Sequence, residues 1–254
     1  MTPAASGVRA TARLTADRAG RLHWDQAWPV LLRPTGPGQV HLLHGSGGPL
    51  GGDELGLDVD VAPGASLAVT SAAATVVQPG QGDQARWDVS VTAGAGGTVH
   101  WTPEPTVICD GAALTSVLRV DLAAGAGAVI RETVILGRHG QRGGRYSGTL
   151  TATVDGTALL AHTTVLDDAD PGLRGPGGTS GARAVGTLLL AGAGGRVPDE
   201  PVGEEPGVRW AWMELDGPGA LLLAVGDPAR VIAVLDRHDR LEALGVVACA
   251  QLGE

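Results

Sequence analysis

The residues able to do chemistry are few and scattered along this chain. The histidines are His23, His41, His44, His100, His139, His162 and His238, and the cysteines are Cys109 and Cys249. No His-x-His, His-Glu-x-x-His or Cys-x-x-Cys spacing occurs, so neither a zinc site nor a disulfide framework is implied. His41 and His44 flank two leucines, and on a strand an offset of three puts them on opposite faces. Asp53 follows a Gly-rich turn, Gly45 to Gly52, and opens an alternating segment. Glu132 sits in Ile130-Arg131-Glu132-Thr133-Val134, where alternation puts it on the face of Ile130 and Val134, the one expected to be buried. A carboxylate there must be paired or line a polar channel. An ion pair with a nearby Arg and a diffuse ion path lined by carboxylates and an occasional His both remain open.

Other chemistries fail on spacing. A phosphate-binding Walker loop needs Gly-Lys-Ser/Thr before a helix, and the chain has no lysine. A dinucleotide fingerprint needs a helix after its glycines, whereas an alternating strand follows Gly52. A serine hydrolase needs Gly-x-Ser-x-Gly on a strand-to-helix turn. Gly178-Thr179-Ser180-Gly181 has the wrong spacing and no helix, so no catalytic constellation is found.

Around these residues the chain reads as strands. Its 254 residues are 43% hydrophobic, but only 3% are aromatic and none is Phe, so the core must be built from Val, Leu and Ala. The net charge of −9 argues against nucleic acid, whose binding rests on neutralising phosphates, and suits metal ions or basic partners. No apolar run reaches membrane-spanning length, no secretion signal opens the chain, and two reduced thiols fit a cytoplasmic setting.

Alternating pairs of strands recur at 57–61 with 67–70, 87–91 with 98–101, 117–122 with 128–133 and, more weakly, 150–154 with 158–164. Their turn glycines, Gly64, Gly94 and Gly125, are about 30 residues apart. A period of this length predicts a stacked or solenoid arrangement; an ordinary antiparallel sandwich is the competing architecture. Segment 137–144 reads as an exposed Arg-bearing loop and 170–181 as a long flexible loop. Asp227-Pro228 has the form of an N-cap followed by Pro at the first helical position. The stripe Val231, Ile232, Val234, Leu235, Leu241, Leu244 then predicts a C-terminal helix over about 227–245. The fold expected is mainly all-β: a solenoid-like stack of antiparallel and mixed strands over about 8–226, with that helix closing a single domain, 1–254.

The order of motifs resembles the urease accessory protein D family (UreD, also called UreH). The resemblance rests on Val40-His41-Leu42-Leu43-His44, Gly47-Gly48, Gly51-Gly52-Asp53, Pro63-Gly64-Ala65 and the run 70–75. It continues through the Trp101-Thr102-Pro103-Glu104-Pro105-Thr106 segment, Asp110-Gly111-Ala112, Glu132 with Leu136-Gly137-Arg138, Gly144-Arg145-Tyr146 and Gly186-Thr187-Leu188. It implies a non-enzymatic scaffold in assembly of the urease nickel centre, binding apo-urease and the accessory protein UreF, which recruits the GTPase UreG. It also implies a channel that passes nickel transiently, with no tightly bound cofactor. Residue by residue, Asp53 and Glu132 match acidic positions of the family. His162 stands where a Leu-Leu-x-Glu step would place a Glu, and imidazole also contacts Ni²⁺. Val76-Val77-Gln78 replaces a Lys-x-Tyr step after Ala74-Thr75, and Glu104 replaces a Gln. A β-rich protein-binding module without a metal role is the alternative.

Overall fold

Residues 54–61 alternate apolar and polar side chains, turn at Pro63-Gly64, and alternate again; this unit is repeated and stacked upon itself. The structure, a computed structural model, describes residues 7–80, 84–193, 195–198 and 200–250; the side chains of 240–250 lie outside the description. In chain order the strands are β1 (Arg9–Ala16), β2 (Leu22–Asp25), β3 (Val30–Gly36), β4 (Gln39–His44), β5 (Glu54–Val61) and β6 (Ser66–Ser71). Then come β7 (Thr75–Val77), β8 (Ala85–Ala93), β9 (Thr98–Trp101), β10 (Thr106–Ile108), β11 (Ala113–Leu122) and β12 (Gly127–Leu136). The last are β13 (Arg145–Val154), β14 (Thr157–Asp167), β15 (Ala184–Gly192), β16 (Val202–Glu205), β17 (Val208–Glu214) and β18 (Gly219–Gly226), followed by the helix α1 (Pro228–Ala250).

The strands form a seven-stranded sheet, β14-β13-β11-β8-β5-β1-β2, and an eleven-stranded one whose main path is β16-β17-β18-β15-β12-β9-β6-β4-β3. The chain alternates between them: β5 to β6, β8 to β9 and β11 to β12 each cross from the first sheet to the second. Within each sheet the successive strands pair in parallel. This is a β-solenoid of about four turns, not an antiparallel sandwich; antiparallel pairing is confined to its flanks.

Parallel stacking aligns equivalent side chains into ladders. Leu57, Val89, Leu118 and Leu150 are register partners in one sheet, and Val69, Trp101, Ile130 and Leu189 in the other. Seven of these eight are almost wholly buried aliphatics, and Trp101 completes the set. Val, Leu and Ala suffice because two sheets packed face to face need only a thin apolar layer. The crossovers use Pro63-Gly64, Ala95-Gly96 and Ala124-Gly125, with φ of +72°, +66° and +70° at the glycines. The second left-handed residue is thus Gly96 and not Gly94, because the strand before it runs on to Ala93. The fourth pair is not a further coil. Asp155 and Gly156 both have positive φ (49° and 73°), the hairpin geometry that returns a strand beside itself, so β14 pairs antiparallel with β13 in the same sheet.

The helix begins as read, with the Asp227 carbonyl accepting from the Arg230 and Val231 amides, but extends to Ala250. Val231, Val234 and Leu235 are buried against the outer face of the second sheet, over Gly186, where a Cβ would come within 2.6 Å of Leu235. Leu241 and Leu244 fall outside the described side chains. No helix among the described residues is long and apolar enough to cross a membrane.

Segment 170–181 is not a loose loop. Asp168, whose side chain is 1% exposed, accepts from Arg174 Nε at 2.9 Å and from the Gly143 amide at 3.0 Å, and faces Arg142. One buried carboxylate therefore ties this segment to the Arg-bearing loop 137–144. Removing a partner from a buried pair costs several kcal/mol, reduced here because both arginines are partly exposed. Asp168→Asn is expected to lower stability by about 2–3 kcal/mol, read as a shift of the chemical-denaturation midpoint with an unchanged slope.

Candidate functional site

The ladders of the second sheet are interrupted at one level. β9 ends at Trp101 and β10 starts at Thr106, while β12 runs continuously past both, pairing Ile130 with Trp101 and Val134 with Thr106. Between them lies Thr102-Pro103-Glu104-Pro105. Neither proline has an N–H to give to the ladder, so the strand lifts away. β6 and β7 separate at the same level, between Ser71 and Thr75. Hydroxyl groups take up the freed backbone: Thr70 Oγ1 donates to the Thr102 carbonyl (3.0 Å), Ser71 Oγ accepts from the Glu104 amide (2.9 Å), and the same Ser71 hydroxyl donates to the Ala73 carbonyl (3.1 Å).

Glu132 is the residue of β12 that looks into this gap from between the sheets. It lines a cavity of about 40 Å³ with His44, Trp87, Trp101, Glu104, Ser116 and Tyr146. It also lines a second, of about 10 Å³, with Tyr146, Gly148, His162, Thr164 and Thr187. These volumes admit roughly a few waters and one water. The structure therefore brings Glu132 and His162 together on one cavity, as two of the three residues singled out in the sequence. Glu132 faces these cavities, and no ion pair to it occurs among the described residues. Burial, with no opposite charge to offset it, pushes its carboxyl up to about 7. His162, half-buried on β14, has its Nε2 3.0 Å from Thr164 Oγ1, and burial lowers its pKa.

Tyr146, the only tyrosine in the chain, stands where the two cavities meet. Its phenol lies over Gly148, where a Cβ would come within 2.0 Å of Oη, and the Ser116 hydroxyl hydrogen-bonds to it. Burial, and then the negative charge of Glu132, keep the phenol protonated. The alternation Tyr146-Gly148-Leu150 placed it on the inner face all along. The same signal, Val40-Leu42-His44, puts His44 on the buried face of β4. Burial lowers the His44 pKa to about 4.

Asp53 is placed differently. It lines neither cavity. Its Oδ1 accepts from the Val8 amide (2.8 Å) and its Oδ2 from the Leu50 amide (3.0 Å), while its own carbonyl accepts from Arg86 (2.7 Å). It is a buried clamp that fixes the Gly-rich turn to β1 and β8. The glycines before it serve close approach: Gly48 has φ +124°, and a Cβ there would come within 2.0 Å of the Val76 carbonyl.

Comparison with known proteins places this arrangement. A family model described as UreD urease accessory protein matches residues 8–233. The chain is 40% identical over 253 residues to the urease accessory protein UreD of Streptomyces coelicolor, covering 93% of this chain and 97% of that protein. It is 38% identical over 269 residues to the urease accessory protein UreD of a Parafrankia species (96% and 86%). It is 42% identical over 212 residues to the protein of that name from Frankia alni (75% and 69%).

Two outcomes follow from the geometry. The folded protein holds the Glu132 proton more tightly than the unfolded chain does, so ionisation penalises the fold. That penalty is absent below about pH 4.5 and complete above about pH 7. Glu132→Gln should raise the melting temperature above pH 7, by the equivalent of at most about 3 kcal/mol, and leave it unchanged near pH 4.5. Asp53→Ala orphans two amides and should destabilise by about 1–3 kcal/mol, seen as a lower melting temperature at every pH from 6 to 8.

Proposed function

This chain belongs to the UreD family of urease accessory proteins, and we propose that in urease maturation it acts as a non-enzymatic scaffold that conducts nickel through the solenoid. The observation carrying this reading is Glu132: a carboxylate held between two sheets, with no counter-charge among the described residues, facing a gap at the two prolines. A structural residue at that place would be apolar, since an unpaired buried carboxylate costs stability. A route for a divalent cation gives it a purpose, because carboxylate and imidazole both bind Ni²⁺ in passing.

On this reading Glu104, exposed at the edge of the wider cavity, marks one mouth. Glu132 stands at the middle and His162 toward the β14 edge. Asp53 does not touch the ion; it holds the turn that leads into β5. His162 does the work of the carboxylate it replaces as a neutral imidazole, its proton affinity already lowered by burial. The ends of such a route require partners, and apo-urease on one side and UreF, with UreG held through UreF, on the other are the assembly proposed. Exposed Trp24 (41%) and Trp28 (61%) are available aromatic surface for it, aromatic side chains being enriched at protein interfaces.

Co-expression of the chain with the helical accessory protein and urease, followed by size analysis and nickel counting, tests the proposal. Glu132→Ala should leave the complex intact by size and slow nickel-dependent urease activation several-fold. His162→Ala should slow it less. Complexes that form normally and activate urease at the parent rate with Glu132→Ala would leave a protein-binding module with no metal role.

A further inference from the structure

We propose that Tyr146 is the gate of this route, its phenol standing as a removable stopper between the two cavities. The proposal rests on the conduit reading above. It starts from one row of side-chain positions on the inner face of the first sheet. Trp87 on β8 is the register partner of Ser116 on β11, Ser116 of Gly148 on β13, and Gly148 of Thr164 on the β14 edge. Trp87 and Ser116 line the wider cavity, Gly148 and Thr164 the narrower one. Both cavities therefore lie along a single row, and Tyr146 borders each of them.

At its middle the row has no side chain of its own. Position 148 faces inward with Tyr146 and Leu150, as alternation requires. An aliphatic residue there would continue that face and part the cavities for good. Gly148 leaves the place vacant, and the Tyr146 phenol reaches along its own strand to fill it. A Cβ on Gly148 would come within 2.0 Å of Oη and 2.4 Å of the ring carbon that bears it. What separates the cavities is thus the tip of a ring rooted two residues away.

The root is fixed and the tip is not. Leu114 and Leu166, the register partners of Tyr146 on either side, pack with it in one apolar cluster. The tip bonds the Ser116 hydroxyl, one strand across, and the phenol stays neutral, so a neutral hydrogen bond holds it rather than an ion pair. A filler with no other task needs no hydroxyl, since a buried phenol must find a partner for it. The wider cavity on the Ser116 side gives the tip space to shift into. With the tip off Gly148, Ser116 and Thr164 border one continuous space across the first sheet. Glu132 and its register partner Thr187 face it from the second.

The test is the rate of nickel-dependent urease activation in the co-expressed complex of the full chain, the helical accessory protein and urease. Ser116→Ala and Tyr146→Phe each break the bond that seats the tip. Each should speed activation about fivefold, the factor one ordinary hydrogen bond is worth. The double variant should gain nothing further, because both changes remove the same bond. A tyrosine that merely packs predicts the reverse: a less stable scaffold, with activation at or below the parent rate. Melting curves and size analysis confirm that each variant folds and assembles. If Tyr146→Phe does not fold, Ser116→Ala, which keeps the ring, carries the comparison. Folded variants at or below the parent rate, with Glu132→Ala slow, overturn the gate and leave the conduit standing. Activation at the parent rate with Glu132→Ala overturns the conduit and the gate with it.

Discussion

Parallel, in-register stacking governs this molecule. Each coil gives one strand to either sheet, and each strand is paired on both sides by its equivalents from neighbouring coils. The backbone is thereby satisfied without reference to side chains, and the side chains fall into ladders of like residues. That arrangement tolerates a core of Val, Leu and Ala and has little need of aromatics. It also makes every coil depend on a turn of the same geometry, which is why a left-handed glycine recurs at Gly64, Gly96 and Gly125. Where the turn changes, at Asp155-Gly156, the solenoid ends in a hairpin.

Such a stack is closed unless something interrupts it. Pro103 and Pro105 do so, and hydroxyls of Thr70 and Ser71 stabilise the opening by bonding the backbone groups that the ladder no longer uses. Glu132 faces the opening because β12, the strand that pairs with both β9 and β10, runs straight past it. Its raised pKa and its lack of a counter-ion among the described residues are one consequence of this position; the meeting of two small cavities at Glu132 and Tyr146 is another. Membership of the UreD family gives the setting, urease maturation. The broken ladder gives the proposed route its physical basis.

Three acidic residues illustrate how far environment separates identical chemistry. Asp53 is spent on two backbone amides, Asp168 on two arginines and an amide, and Glu132 on nothing among the described residues. The first two are structural because their oxygens are saturated. The third is available because its oxygens are not.

Residue order alone was enough for the sites of most strands, the recurring turn, the helix N-cap and the family, since alternation, turn glycines and capping are local; the recurrence suits a solenoid or a sandwich alike, and the parallel register of the folded strands decides for the solenoid. Residue order also put Glu132 on an inner face, by its spacing from Ile130 and Val134. Only the tertiary structure decided what that face meets. Whether such a carboxylate finds an arginine or a cavity depends on strands as near in sequence as that of Tyr146 and as far as that of His44, and no local pattern encodes the distance between them. Asp53 shows the same limit: a Gly-Gly-Asp turn reads alike whether its carboxylate faces a cavity or, as in the folded chain, the amides of Val8 and Leu50. The second left-handed glycine, Gly96, and the tie of segment 170–181 to Asp168 likewise required the folded chain, one set by where β8 ends and the other by a charge reaching across two loops.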